Sequence, residues 1–486
     1  MLFNSIDFIL FFLVVTPLYF LLPFKFRWLM LLLASCYFYM AFVPIYILIL
    51  GATIVIDYFA GIWIERSTGH KRKMLLVLSL ISNIGVLAVF KYYNFLNENF
   101  SLLTQSLGFQ NPIPYLSILL PIGLSFHTFQ AMSYTIEVYR GNQKAEHHFG
   151  IYSLYVMFYP QLVAGPIERP QNILHQLKEE HKFNYTNVTQ GLKLMAWGMF
   201  KKVVIADRLA TMVNEVYDHT ELYTGIPLII ATVFFAFQIY CDFSGYSDIA
   251  IGAARVMGIN LMLNFNRPYS ALSISEFWGK WHISLSTWFR DYLYIPLGGN
   301  RVAVPRWYFN LFCVFLLSGL WHGASWNYII WGALHGFYLV FALLTQKYRD
   351  AISKAVGLKQ HALLYTWLQR FITFILVAFA WIFFRAKTFA SASYIVSHLL
   401  DFSPNFSNFD TVKLVYLGKD SGTFLTALIF IVLLQWIEKK QAEPANVNLF
   451  SNRSLPLRWT FYLLLMLSIC LFGVFHSNAE FIYFQF

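Results

Sequence analysis

Trp28-Leu-Met-Leu-Leu-Leu-Ala-Ser-Cys-Tyr-Phe-Tyr-Met-Ala-Phe-Val-Pro44 opens an apolar stretch that continues to Ile64 and gives way to Glu65-Arg-Ser-Thr-Gly-His-Lys-Arg-Lys73. A helix crosses a bilayer in about 20 residues, so residues 28–64 are too long for one crossing, and Pro44 divides them into two. Residues 65–73 form the most basic short connection in the chain, which places them in the cytoplasm by the positive-inside rule. Before them, the apolar run 8–24 makes a first span, with neither a basic region ahead of it nor a small-residue cleavage pattern behind it. Three spans ahead of a cytoplasmic connection put the N-terminus outside.

Further along, a fourth span at 74–93 leads to residues 94–114, which carry no Lys or Arg and suit the outside. A fifth at 115–139 returns to Arg140-Gly-Asn-Gln-Lys144, inside. Residues 438–458 hold Lys439, Lys440, Arg453 and Arg458, whereas 477–486 hold no positive charge, so the C-terminus also reads as outside. Between 149 and 310 the apolar runs are interrupted by Pro160, Pro166, Asp242, Asp248 and clusters of polar and aromatic residues. Broken or re-entrant helices are tolerated only where protein or a cavity surrounds them, which makes this middle the expected functional core.

Composition agrees with a membrane chain. Of 486 residues, 58% are hydrophobic and 12% charged, with a mean hydropathy of +0.55; a soluble domain has about 25% charged residues. The formal charge of +11 is what basic cytoplasmic loops produce and does not point to nucleic acid. Cys36, Cys241, Cys313 and Cys470 are far apart, without metal or redox spacing, and read as packing residues. No fixed-period repeat or long hydrophilic stretch occurs. The expectation is an all-α integral membrane protein, a single domain over 1–486 with about 11–12 transmembrane helices plus re-entrant or interfacial helices, its catalytic core at about 115–346.

Within that core, Leu316-Leu-Ser-Gly-Leu-Trp-His-Gly-Ala-Ser-Trp326 sets an ionisable side chain, His322, in apolar sequence. Such a group is costly in hydrocarbon unless it faces a partner or a water-filled cavity, so it marks a candidate site. Imidazole accepts a proton near neutral pH, and Gly319 and Gly323 beside it allow another backbone or a ligand to approach. The alternative is a core histidine bonded between helices. For His335 and His127 that helix-to-helix role is the better reading.

The densest polar segment is Glu276-Phe-Trp-Gly-Lys-Trp-His-Ile-Ser-Leu-Ser-Thr-Trp-Phe-Arg-Asp-Tyr-Leu-Tyr-Ile-Pro-Leu-Gly-Gly-Asn-Arg301. At helical spacing Glu276 shares a face with Lys280, and His282 with Ser286. The segment suits either a polar cavity wall or an interfacial amphipathic helix with aromatic anchors. His147-His148 lacks further ligands at metal-binding spacing, and HExxH, Walker A, GxSxG and dinucleotide glycine patterns are absent. Metal-free acid-base chemistry remains.

Pro121-Ile-Gly-Leu-Ser-Phe-His-Thr-Phe-Gln130 with Ser133-Tyr134, Gln161-Leu-Val-Ala-Gly-Pro-Ile167, Tyr240-Cys-Asp-Phe-Ser-Gly-Tyr-Ser-Asp248, the 276–301 segment, Ser318-Gly-Leu-Trp-His-Gly-Ala324, Phe383-Phe-Arg-Ala386 and Phe481-Ile-Tyr-Phe-Gln-Phe486 together resemble the membrane-bound O-acyltransferase (MBOAT) family, and within it the bacterial alginate O-acetyltransferase branch. The likeness runs in order along nearly the whole chain. It implies an enzyme whose catalytic histidine matches His322 and whose second signature histidine, in Trp-His-x-Ser-Leu context, matches His282. It further implies a channel through which an acyl group, an acetyl group in this branch, passes from a cytoplasmic thioester to an acceptor outside.

On that resemblance acetyl-coenzyme A is the expected donor substrate, with no permanently bound cofactor and no metal. Arg290, Arg301 and Lys280, on the basic side of their segment, suit either its phosphates or anionic lipid headgroups. The expected setting is the bacterial inner membrane, and the expected partners are the lipid bilayer, an exported polysaccharide such as alginate and a separate periplasmic acetyltransferase. Two other functions compete: D-alanyl transfer to teichoic acid from a carrier-protein thioester, and transport of a polysaccharide precursor. Missing inverted repeats weigh against the transporter.

Overall fold

Pro44 divides the long apolar stretch as the sequence requires. In the computed structural model, which describes residues 1–117, 121–402, 421–441, 454–475 and 481–484, helix α2 (Phe24–Met40) ends before a 3-10 turn at Pro44–Tyr46 that leads into α3 (Ile47–Arg66). Proline supplies no amide and fixes φ, which suits the first residue of a helical turn and not its interior. Ahead of them α1 (Ile6–Leu21) starts where the Ser5 hydroxyl accepts the Phe8 N–H at 3.1 Å. Helix accounts for 77% of the structure, with no strand among the described residues. That is the expected all-α architecture, since backbone groups in hydrocarbon must be satisfied within their own segment.

Two connections differ from the sequence-based expectation. Only Ser67 and Thr68 separate α3 from α4 (Gly69–Leu87), so His70, Lys71, Arg72 and Lys73 start a helix and do not form a loop. Lys and Arg are good helix formers, and Arg72 also donates to the Val138 carbonyl at 3.0 Å. A π-turn at Ala88–Tyr92 then carries α4 into α5 (Tyr93–Ser106), making helical the first part of what reads as an outside loop. The basic segment 438–458 and the tail 477–486 lie partly outside the described residues.

Six of the described helical segments are long and apolar enough to cross a membrane: Pro44–Arg66, Gly69–Ser106, Ile226–Val256, Trp326–Leu344, Ala362–Arg385 and Leu455–Phe472. The chain divides into two compact units, one of residues 1–195 and 246–263, the other of residues 196–245 and 264–486. In the first, α6 (Leu124–Arg140), α7 (Phe149–Met157) and α8 (Pro170–Leu177) follow α5, and α9 (Tyr185–Met199) runs to its boundary. Buried Asp57 of α3 accepts the Ser79 hydroxyl at 2.6 Å and the Asn83 amide at 2.8 Å, tying α3 to α4.

The second unit holds residues 196–245 and 264–310 of the interrupted middle, and the first unit the rest of it. A π-turn at Phe200–Ala206 leads to α10 (Asp207–Asp218), and short helices α12 (Ile274–Trp278) and α13 (Ile283–Phe289) precede another π-turn at Arg290–Tyr294. One expected interruption is absent, because α11 (Ile226–Val256), whose residues 246–256 belong to the first unit, runs unbroken for 31 residues through Asp242 and Asp248. A carboxylate does not end a helix when it is paired, and Lys202 lies 2.8 Å from Asp242. The unit continues with α14 (Val304–His322), α15 (Trp326–Leu344), α16 (Gln346–Ala355), α17 (Ala362–Arg385), α18 (Phe389–His398), α19 (Ser421–Gln441) and α20 (Leu455–Phe472), then a 3-10 turn at Ile482–Phe484.

Candidate active site

Small residues bring α14 and α15 together, and that contact places His322. A Cβ on Gly319 would lie 2.2 Å from the Tyr328 carbonyl oxygen, and one on Gly332 would lie 2.3 Å from that of Phe315. Of the two glycines foreseen as leaving room for a backbone or a ligand, Gly319 therefore admits a backbone, whereas Gly323 admits a side chain, the Tyr328 ring, 2.1 Å from where its Cβ would lie. Gly319→Ala should cost roughly 1–3 kcal/mol by overpacking and lower the melting temperature in detergent, whereas Gly51→Ala, with nothing within 4 Å of its Cβ, should not. Equal melting of the two variants would contradict this packing.

His322 is the last residue of α14 and is 4% exposed. Its ring lies 4.9 Å from Trp321, 4.8 Å from Trp331, 5.2 Å from Phe384 and 5.8 Å from Tyr483, ring centre to ring centre. Aromatic walls of this kind exclude water and hold the imidazole to few orientations.

His282 is fully buried, which removes the reading of its segment as one interfacial amphipathic helix. The segment breaks after α12, and His282 caps α13 in the left-handed region with φ +44°. A non-glycine residue there costs about 1–2 kcal/mol and persists only where its surroundings fix it. Asn264 does so: its carbonyl accepts the Ile283 N–H at 2.9 Å, and its side-chain oxygen accepts the Ser284 hydroxyl at 2.9 Å. The His282 ring packs 4.7 Å from Phe243, 6.1 Å from Trp321 and 6.2 Å from Tyr483. Trp321 and Tyr483 thus touch both histidines, so the two sequence candidates belong to one cluster.

His335 takes the helix-to-helix role, its Nδ1 accepting the Trp278 indole N–H at 3.2 Å. His127, in the first unit, is buried in α6 but hydrogen-bonds to no other helix among the described residues. Nothing gathers three His, Cys, Asp or Glu side chains into a metal-binding group among the described residues.

A cavity of about 760 Å³ lies beside the cluster, within the second unit. Ser318, one helical turn before His322, lines it together with Trp278, Ser286, Arg290, Gln346 and Arg349. Of the three cations proposed from sequence, only Arg290 faces this space. Lys280 instead pairs with Glu276 at 2.7 Å and donates to the Ser270 hydroxyl at 3.0 Å. Glu276 is held below its ordinary carboxylate value: burial pushes it up, but the bonds from Lys280 and the Leu272 amide outweigh that. Arg301 is exposed in a turn and lines no part of the cavity.

Arg349 and Tyr483 were not singled out from sequence. Arg349 follows an apolar helix and resembles an ordinary interfacial anchor. Tyr483 stands in the Phe481-Ile-Tyr segment, a signal of family likeness that says nothing about where the chain returns.

Comparison with known proteins completes the assignment. The family described as MBOAT, membrane-bound O-acyltransferase, matches residues 141–384, which include both histidines. The chain is 40% identical over 390 residues to the probable alginate O-acetylase AlgI of Pseudomonas aeruginosa, covering 80% of this chain and 72% of the relative. It is 37% identical over 426 residues to the peptidoglycan O-acetyltransferase of Helicobacter pylori, covering 81% and 76%. With the Pseudomonas putida protein named probable alginate O-acetylase AlgI it shares 35% identity over the full length of both. With helices that suit a bilayer and a histidine cluster inside the matched region, the chain belongs to the membrane-bound O-acyltransferase family and is a multipass membrane O-acyltransferase.

Proposed function

We propose that the enzyme moves an acetyl group from cytoplasmic acetyl-coenzyme A across a bacterial inner membrane for O-acetylation of an exported polysaccharide such as alginate, with His322 as general base. The observation that carries this reading is His322 itself, a buried imidazole one helical turn from a cavity that presents two arginines. Alginate and peptidoglycan, named in the relatives, support a polysaccharide acceptor.

The chemistry needs three things of the protein: orientation of the thioester, removal of the attacking hydroxyl's proton, and stabilisation of the tetrahedral oxygen. His322 takes the proton as the new C–O bond forms. When the intermediate collapses the C–S bond breaks, and the imidazolium returns the proton to the departing thiolate. His282, behind the same tryptophan, supports the reacting arrangement without being the base. Arg290 and Arg349 pair with donor phosphates. The ester so formed then gives up its acetyl group to the polysaccharide through a separate periplasmic acetyltransferase, the partner that the family resemblance implies.

Losing one charge-assisted hydrogen bond costs about 1.5–3 kcal/mol, so Arg290→Ala and Arg349→Ala should each raise the KM for acetyl-coenzyme A about tenfold or more with a smaller change in kcat. Arg301→Ala, away from the cavity, should leave the KM unchanged. If Arg301→Ala raised the KM as much as the other two, the donor would bind elsewhere.

The positive-inside rule and the crossing count lead us to expect both termini in the periplasm and residues 65–73 in the cytoplasm. In a background without the four native cysteines, single cysteines at Ser67 and at Ser477, the latter outside the described residues, should label from opposite sides. Labelling of both in intact cells by an impermeant reagent would overturn the orientation.

A further inference from the structure

Asp242 and Ile482 are 240 residues apart in sequence, yet the Asp242 carboxylate accepts the Ile482 backbone N–H at 2.8 Å in a buried setting. The other carboxylate oxygen lies 2.8 Å from the Lys202 ammonium, which is also 2.8 Å from Asp207. All three side chains are less than a tenth exposed. Two buried carboxylates share one ammonium, and a buried carboxylate is expensive unless hydrogen bonds complete its surroundings. The Ile482 amide supplies one such bond, and it thereby fixes the depth of the segment it belongs to.

That segment covers the histidine cluster. Next to Asp242, the Phe243 ring lies 4.2 Å from Tyr483, 6.0 Å from Phe481 and 4.7 Å from His282. Tyr483 in turn reaches His322 at 5.8 Å. One carboxylate on α11 thus sets both a wall of the site, through Phe243, and the backbone that carries Tyr483.

We propose that Asp242, held by Lys202, is a positioning residue that latches residues 481–484 over His322 and His282. The proposal rests on the reading of His322 as the reacting base, but the latch has a readout of its own. Ile482 is the first residue of a 3-10 turn, a place where proline is tolerated, so Ile482→Pro removes the donated N–H and leaves the ion triad intact. This variant keeps the test decisive should Asp242→Asn disturb folding.

Hydrogen exchange of the peptide containing residues 481–484 should be slow in the wild type and faster in Asp242→Asn, and should stay slow in His322→Gln, so loss of the latch and loss of the base are read separately. Hydrogen bonds to charged groups are among the stronger ones, so Ile482→Pro and Asp242→Asn should each lower kcat roughly 10- to 100-fold with the donor KM unchanged. Because Asp242→Asn weakens, by removing the charge that Lys202 holds in place, the same bond that Ile482→Pro removes, the double variant should be no worse than the worse single variant. Unchanged exchange in Asp242→Asn, wild-type kcat in Ile482→Pro, or effects that multiply in the double variant would each overturn the latch.

Discussion

His322→Gln should leave the protein folded in the membrane and abolish acetylation of the exported polysaccharide. In an apolar site few groups can take a proton near neutral pH, and residues 316–326 contain no Asp or Glu to substitute for the imidazole. Glutamine keeps hydrogen-bonding capacity and much of the ring's bulk among Trp321, Trp331, Phe384 and Tyr483, yet it cannot act as a base. A positioned acid-base group contributes about 100- to 10,000-fold, and as the sole base His322 belongs at the upper end. His322→Ala should be equally inactive while still inserting, since it removes a side chain from the end of α14 and leaves the Gly319–Gly332 contact untouched. Near wild-type acetylation by the glutamine variant, at matched expression, would make His322 a structural residue.

For His282 the expected loss is smaller. His282→Ala should lower transfer within the range of about 100- to 10,000-fold for positioned groups but by less than His322→Gln, because the ring supports the arrangement around Trp321 and does not itself remove the proton. His282→Gly separates side chain from backbone. Glycine relieves the strain at φ +44°, so if the imidazole matters the glycine variant should be as impaired as the alanine one. Recovery in His282→Gly would assign the alanine defect to backbone strain.

Much of this arrangement is legible in the sequence, for identifiable reasons. Apolar run length gives the helices, Pro44 gives their division, and the cost of an ionisable group among apolar residues singles out His322. Local spacing is also reliable at short range, as the Glu276–Lys280 pair shows. It fails where tertiary contacts decide. Residues 276–301 have the composition of one amphipathic helix, but Asn264 pins the His282 turn and splits it. Asp242 looks like a helix interruption until Lys202 and the Ile482 amide pair with it. Tyr483 lies beside the histidines in a segment bonded to α11 across 240 residues of sequence, and no local pattern encodes that.

The most direct test of acyl transfer from coenzyme A is release of free thiol from acetyl-coenzyme A by the purified protein in detergent or vesicles. A thioester bound beside an activated hydroxyl or water turns over slowly even without the physiological acceptor, so the wild type should release thiol, faster when an acceptor and the periplasmic partner are added, and His322→Gln should release none above background. Absence of thiol release from the wild type, together with movement of a polysaccharide precursor across the vesicle membrane, would contradict donor chemistry at His322 and make the protein a transporter.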